Sequence, residues 1–363
     1  MSTPSSGLRL CDCLAAYRGK KVLVTGHTGF KGSWLCWMLA DAGAQVCGYS
    51  LEPPTQPNLF ELSGIGERVE SHIGDIRDLE HLQHMFEQFQ PEIVLHLAAQ
   101  PIVRDSYDAP RYTYETNVMG TVNVLECVRA CPSVKSFLNV TTDKVYLNEE
   151  REGYGYREDD PLDGFDPYSN SKSCSELVTH SYAASFFNGA NAPAISTARA
   201  GNVIGGGDFA NSRIIPDCVR AAQAGSEVVI RNPYSTRPFQ HVLEPLAAYL
   251  MIAAAQLNDE SKAGWYNVGP DDCDCVSAGE LADLWCDAWP GATWSTPAEK
   301  AADGKHEANF LKLDSSKLKR TFGWQPTWGI ADAVAHTAAW TRVWLEGGNI
   351  GAEMTREIQE FMQ

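Results

Sequence analysis

Residues 20–35 read KKVLVTGHTGFKGSWL: an apolar, β-prone run, three glycines at every third position, then the first turns of an apolar helix that continues to Ala42. Glycine at 26, 29 and 32, between a strand and a helix, lets the backbone turn tightly and approach a pyrophosphate. The anion then rests on the unpaired N–H groups of the helix N-terminus. The same glycines also suit a plain strand-to-helix turn. Position separates the two readings, because the loop follows the first strand of a longer strand–helix alternation. No G-x-x-x-x-G-K-[ST] occurs, which disfavours an ATPase phosphate loop. Gly26, Thr28, Gly29, Phe30, Lys31 and Gly32 are the candidate dinucleotide contacts of this loop.

The alternation continues outward. Further β-rich runs fall at 45–50, 69–76, 92–99, 134–146 and 194–203, with helical stretches at 81–89, 113–130 and 166–187 between them. Continuously apolar strands that alternate with helices predict a parallel sheet covered on both faces. After Gly205 glycine, proline and tryptophan become more frequent and the alternation loosens. The expected fold is α/β: a Rossmann-type doubly wound parallel sheet with a smaller, interleaved C-terminal α/β substrate domain. Residues 1–18 read as a polar tail. Residues 19–190 read as the dinucleotide-binding domain, with returning segments near 194–205 and 238–268. Residues 206–363 read mainly as the substrate domain.

The carboxylate that usually holds the adenosine ribose belongs at the end of the second strand. Here that strand ends Gly48-Tyr49-Ser50-Leu51, with Glu52 just beyond and no Arg or Lys nearby to clamp a 2′-phosphate. NAD is favoured over NADP. Ser50, Asp75 and Ile76, at the ends of the second and third strands, are candidate contacts for the adenosine half, though Asp75 also suits an ordinary strand-end turn.

Tyr168 and Lys172 lie four residues apart on the 166–187 helix, one turn apart on one face. A phenol with a pKa near 10 is a poor base at neutral pH. A neighbouring ammonium and an oxidised nicotinamide both favour the phenolate. Tyrosine then takes a hydroxyl proton while the adjoining carbon gives up hydride. A lone Y-x-x-x-K is common on amphipathic helices; preceded by the glycine loop in one chain, it is specific.

That combination resembles the extended short-chain dehydrogenase/reductase family, which works on nucleotide sugars, and the resemblance runs from about Lys20 onward. Ala98, Ala99 and Gln100 after strand four, and Asn117 in the next helix, match its cofactor-binding pattern. At the end of strand five stands Thr142-Asp143-Lys144. Epimerases of the superfamily carry a plain serine or threonine there, and 4,6-dehydratases carry an added acid–base pair. The Asp-Lys version, with GHTGFKGSWL (26–35), HLAAQPIVR (96–104), DPYSNSK (166–172), RAGNVIGGGD (199–208) and RPFQHVLEP (237–245), resembles the branch that dehydrates CDP-D-glucose. The resemblance implies NAD as cofactor and oxidation at C4. Loss of water across C5–C6 follows, with Asp143 as acid and Lys144 as base, and hydride returns to C6. Thr142, Tyr168 and Lys172 complete the implied catalytic set. A lysine base must be neutral, which desolvation or neighbouring cations favour.

A nucleoside diphosphate needs local cations. Arg104, Arg213 and Arg237 are candidate substrate contacts, with Asn202 on the diphosphate side. His241 joins them as the weakest member, since a structural role suits it and His306 better. Where dTDP-glucose dehydratases place an arginine near the ribose, this chain has Lys305-His306-Glu307.

The 363 residues are 44% hydrophobic and 21% charged, enough to bury a large core. A net charge of −17 argues against nucleic acid or an anionic membrane as partner, because those need basic patches. No apolar run is long enough to span a bilayer, and residues 1–10 lack the order of a secretory signal. The C-x-C pairs at 11/13 and 273/275 lack metal-site spacing, so no metal is expected. These features point to a cytoplasmic enzyme with reduced thiols, and the resemblance to a homodimer or homotetramer. A nucleotide-sugar 4-epimerase, a dehydratase of another nucleotide-glucose and a non-catalytic cofactor-binding regulator are the alternatives.

Overall fold

The computed structural model describes residues 10–189, 191–297 and 310–363. Its centre is a sheet of seven strands: β1 (Lys21–Thr25), β2 (Gln45–Ser50), β3 (Glu70–Ile73), β4 (Ile93–His96), β5 (Ser136–Thr142), β6 (Ala194–Ala200) and β7 (Trp265–Val268). The spatial order is β3-β2-β1-β4-β5-β6-β7, and every pairing is parallel. Strands β4, β5 and β6 are buried at every position, so they lack the alternation of a half-exposed strand, and their polar members, among them Asn139, Thr197 and Arg199, are buried too.

Successive side chains leave a strand on opposite faces, and the packing follows that rule. Val22 and Val24 of β1 enter one core with Trp34, Leu35 and Met38 of helix α2 (Phe30–Asp41). Leu23, between them, joins Leu82 and Phe86 of helix α3 (Leu79–Phe89) and Val124 of helix α4 (Gly120–Ala130) on the other face. Helix α5 (Pro167–Phe186) lies on this second face, where Val178, Tyr182 and Ala183 pack. A third core gathers helices α6 (Ile214–Ala224), α8 (Ala278–Ala288) and α9 (Ile330–Leu345) around Trp285, Leu281 and Val334. Helix α7 (Leu243–Asn258), between α6 and α8 in the chain, packs back onto the first core.

The structure departs from the sequence reading in three places. Residues 10–18 are not all a polar tail: helix α1 (Leu10–Ala15) puts Cys13 and Tyr17 into the core, and Tyr17 Oη donates to Leu250 O at 2.7 Å. The alternation does not stop at six strands. β7 adds an edge strand beside β6, and its Trp265 stacks on His180 at 3.7 Å between ring centroids. Strand five ends at Thr142, not Tyr146, because Asp143–Val145 turn in a short 3-10 helix. Lys305, His306 and Glu307 lie outside the described residues. No described helix is long and apolar enough to cross a membrane.

Candidate active site

The order of strands reverses between β1 and β4, and ligand crevices open beyond the carboxyl ends of strands at such a point. There the β1 loop and the end of β4 approach closely. Gly26 has φ of 79°, and a Cβ on it would lie 2.9 Å from Ala98 N. A Cβ on Gly32 would meet Gly26 O at 2.1 Å, so the first turn of α2 closes onto the loop only without side chains. Helix α2 starts at Gly29 with no side-chain cap, which leaves its first N–H groups for an anion. Thr28 Oγ1 shares a 2.8 Å hydrogen bond with Ser50 Oγ and donates to Leu51 O at 2.8 Å, tying the loop to the end of β2. A dinucleotide pyrophosphate fits this cradle.

The other expected cofactor residues have defined partners of their own. Asn117 Oδ1 accepts from Gln100 N at 2.8 Å, and its Nδ2 donates to Gln100 O and Ser171 Oγ, so it pins the β4 loop to α5. Gln100 Nε2 donates to Thr113 at 3.0 Å. Ile76 is buried, and a Cβ on Gly120 would lie 2.4 Å from its Cδ1. Asp75 binds the Arg77 guanidinium at 2.6 Å and its backbone N–H at 2.9 Å. The hydrogen bond from Arg77 holds the Asp75 carboxyl below its ordinary value. Phe30 packs partly buried against the first core. Lys31 departs from the rest of the loop: it lines the cleft beside Thr142, Asp143 and Tyr168.

That cleft holds about 680 Å³, the size of a small-molecule site. Its floor joins the end of β5 to the start of α5. Asp166 caps α5, accepting from Ser169 N at 3.0 Å and Ser169 Oγ at 2.6 Å, and Pro167 sits in the first turn. Tyr168 N donates to Ser106 Oγ at 3.1 Å, and Lys172 Nζ to Val140 O at 3.0 Å. Both side chains are buried. Burial raises Tyr168 to about 12, against a smaller opposing effect of its hydrogen bond with Thr142. Burial pushes Lys172 down to about 8, countered by Glu176 one turn on. Lys31 falls to about 7 through burial and then through the Arg213 and Lys172 charges.

Asp143 is fully buried. Its Oδ1 accepts from Thr142 Oγ1 at 2.9 Å and from Lys144 Nζ at 3.2 Å. Among the described residues its Oδ2 has no hydrogen-bond partner, an expensive condition for a buried carboxylate oxygen. A Cβ on Gly201 would lie 2.5 Å from Oδ2, so glycine there makes room for the acid. Lys144 Nζ also donates to Asn202 Oδ1 at 3.3 Å. The Asp143–Lys144 pair and Tyr168 line one cleft.

Among the expected substrate contacts, Arg104, Asn202, Arg213 and Arg237 line the cleft. Arg213 Nη1 donates to Asp208 Oδ2 at 2.9 Å, a partner the sequence did not reveal. His241 is a correction. It is fully buried, 2.8 Å from Glu357 of helix α10 (Ile350–Phe361) and edge-on to Trp328, away from the cleft lining. Sequence reasoning also missed Glu176 and Arg199, a fully buried ion pair at 2.9 Å that ties α5 to β6. A glutamate one turn beyond Lys172 was the available signal.

Comparison with known proteins agrees with this geometry. A family described as GDP-mannose 4,6 dehydratase matches residues 23–337. The CDP-glucose 4,6-dehydratase of Salmonella typhimurium is 47% identical over 95% of this chain and 97% of its own length. The dTDP-glucose 4,6-dehydratase of Xanthomonas campestris pv. campestris is 28% identical over 90% of this chain and 95% of its own. Among solved structures, a dTDP-glucose 4,6-dehydratase of Streptomyces venezuelae with NAD and TYD bound has a TM-score of 0.75. It is 24% identical and covers 90% of this chain and 98% of its own, a likeness of fold. With the family pattern matched across most of its length, this chain belongs to the family described as GDP-mannose 4,6 dehydratase.

Proposed function

We propose that the protein is an NAD-dependent hydro-lyase that converts CDP-D-glucose to CDP-4-keto-6-deoxy-D-glucose. One observation carries the dehydration: the Asp143–Lys144 ion pair, its carboxylate fully buried, lines the cleft that Thr142 and Tyr168 also line, and Lys172 is buried one turn beyond Tyr168. The 47% identity to a CDP-glucose 4,6-dehydratase supports the choice of nucleotide.

In this reading Gly26, Thr28, Gly29, Phe30, Gly32 and Ser50 hold NAD, with Asp75 and Ile76 at its adenosine end and Ala98, Ala99, Gln100 and Asn117 behind it. Bound NAD supplies an acceptor for the C4 hydride and returns that hydride to C6. Tyr168 takes the proton of the C4 hydroxyl, positioned by Thr142 and assisted by the Lys172 charge. The C5 hydrogen, now beside a ketone, is acidic. Moving one proton along the 3.2 Å hydrogen bond from Lys144 to Asp143 turns the ion pair into a neutral base and a neutral acid. Lys144 then removes the C5 proton, and Asp143 protonates the C6 hydroxyl as it leaves as water. The step restores the ion pair; Lys144 returns a proton to C5 as hydride is delivered to C6, and the proton held by Tyr168 then recharges the amine. Arg104, Arg213, Arg237 and Asn202 receive the diphosphate and sugar, charge-assisted contacts that a chain of net charge −17 must supply locally.

We also read the protein as cytoplasmic and as a homodimer or homotetramer, supplying a deoxysugar for bacterial surface polysaccharide such as O-antigen. Exposed Met119, Leu177 and Phe186, on α5 and on the helical turns leading into α4, support pairing through this face. Purified protein with NAD, given CDP-glucose, tests the activity. Loss of one water, abolished by Asp143→Asn, supports it. A change of hexose configuration without water loss moves the protein to the epimerases.

A further inference from the structure

The floor of the cleft is one of chemistry, and its outer wall is one of recognition. That wall is the start of α6 together with residues 229–232. Arg213 caps α6, and Asp217 lies one turn along, its N–H bonded to Arg213 O at 3.0 Å. Residues four apart share a helix face about 6 Å from one another. Both line the cleft. Arg213 lies near enough to Tyr168 and Lys31 to affect their ionisation, so it marks the reactive end. Asp217 lies one turn further along the same face.

The other carboxylates that line the cleft have their own places. Asp143 belongs to the reactive pair, Asp166 caps α5, and Asp208 holds Arg213. Glu149 and Glu150 follow the Lys144 turn, on the opposite stretch of chain, and Glu149 binds Arg151. Asp217 is therefore the carboxylate that the outer wall itself contributes. Buried Ile215 and Ile230 and exposed Val229 supply apolar surface of the kind a flat ring packs against. Arg220 donates to Asp217 Oδ1 at 2.5 Å, which fixes the orientation of the carboxylate.

We propose that Asp217 accepts a hydrogen bond from the exocyclic amino group of a cytosine base, and so selects cytidine over uridine or thymidine nucleotides. The proposal rests on the reading of the protein as a nucleotide-sugar dehydratase. Cytosine carries an N–H donor at the position where uracil and thymine carry a carbonyl oxygen. A carboxylate satisfies the first and repels the second. Relatives named for CDP-glucose and for dTDP-glucose match this chain over nearly its whole length, so the choice of base must be made by local side chains.

The test compares CDP-glucose with UDP-glucose, which share ribose and sugar, on the NAD-supplemented enzyme. Wild type should prefer CDP-glucose. Asp217→Asn, whose amide can donate to a carbonyl, should lower the CDP/UDP ratio of kcat/KM by about ten- to hundredfold, mostly through KM. An unchanged ratio with full activity overturns the proposal and leaves the dehydratase reading intact. Dehydration of no nucleotide-glucose overturns that reading itself. If Asp217→Asn does not fold, Asp217→Ser and competitive inhibition of the wild type decide: CDP must inhibit at least about tenfold more strongly than UDP, and equal inhibition overturns the proposal.

Discussion

The floor of the cleft and its outer wall differ in how their side chains are held. On the floor, Asp143, Tyr168 and Lys172 are almost inaccessible: Thr142 Oγ1 donates to Asp143, Lys172 donates to Val140 O of β5, and the Tyr168 backbone N–H donates to Ser106. On the wall, Arg213 and Asp217 keep more than a third of their side chains exposed, and each is steadied by a single neighbouring charge. Reacting atoms need fixed geometry and shifted ionisation, which burial provides. Recognition of a variable nucleotide needs side chains that can be exchanged without disturbing the fold.

Predictions that break or sharpen this contrast start at the floor. Tyr168→Phe should reduce kcat by about 10²–10⁴-fold while circular dichroism stays unchanged. A rate within threefold of wild type would remove tyrosine from the chemistry. Glu176→Ala leaves Arg199 buried without its 2.9 Å partner and should cost about 3–5 kcal/mol in denaturant unfolding. A loss below about 1 kcal/mol would show the pair to be replaceable.

The alkaline side of the pH profile belongs to the floor too. Lys172 is held near 8, and a lysine is charged below its pKa, so kcat/KM should fall as pH rises through about 8. Lys172→Met should remove that limb along with most of the activity. A profile flat to pH 10 would contradict the assignment. The smallest effect is expected at the wall. Arg213→Met should raise KM for the nucleotide sugar about tenfold and change kcat little, because a charge-assisted contact to phosphate is made equally in ground and transition states. A kcat loss as large as that of Tyr168→Phe would erase the distinction between wall and floor.

The floor was legible in the sequence because its signals are local. The Gly26–Gly32 loop, the four-residue step from Tyr168 to Lys172 and the Thr142–Lys144 run each sit within one turn or one strand end, where chain geometry fixes relative position. The six predicted strands were legible for the same reason, although β3 (Glu70–Ile73) is mostly exposed and polar. β7 was not, because Trp265–Val268 has four residues and borrows its place from pairing with β6. The depth of the site was also hidden: spacing places Tyr168 and Lys172 on one helix face but not how deeply that face is buried. His241 was the weakest of the ligand candidates, with a structural role preferred, and the partner that gives it that role, Glu357, lies 116 positions away in the last helix. Contacts of that range have no signature in a single chain.

The central claim is that Asp143 and Lys144 make this cleft a dehydratase. Mass spectrometry of the sugar nucleotide after incubation of wild type and Asp143→Asn with NAD and CDP-glucose tests it most directly. The account predicts loss of one water with wild type and at least about a hundredfold slower loss with the variant. Equal water loss by both proteins would contradict it.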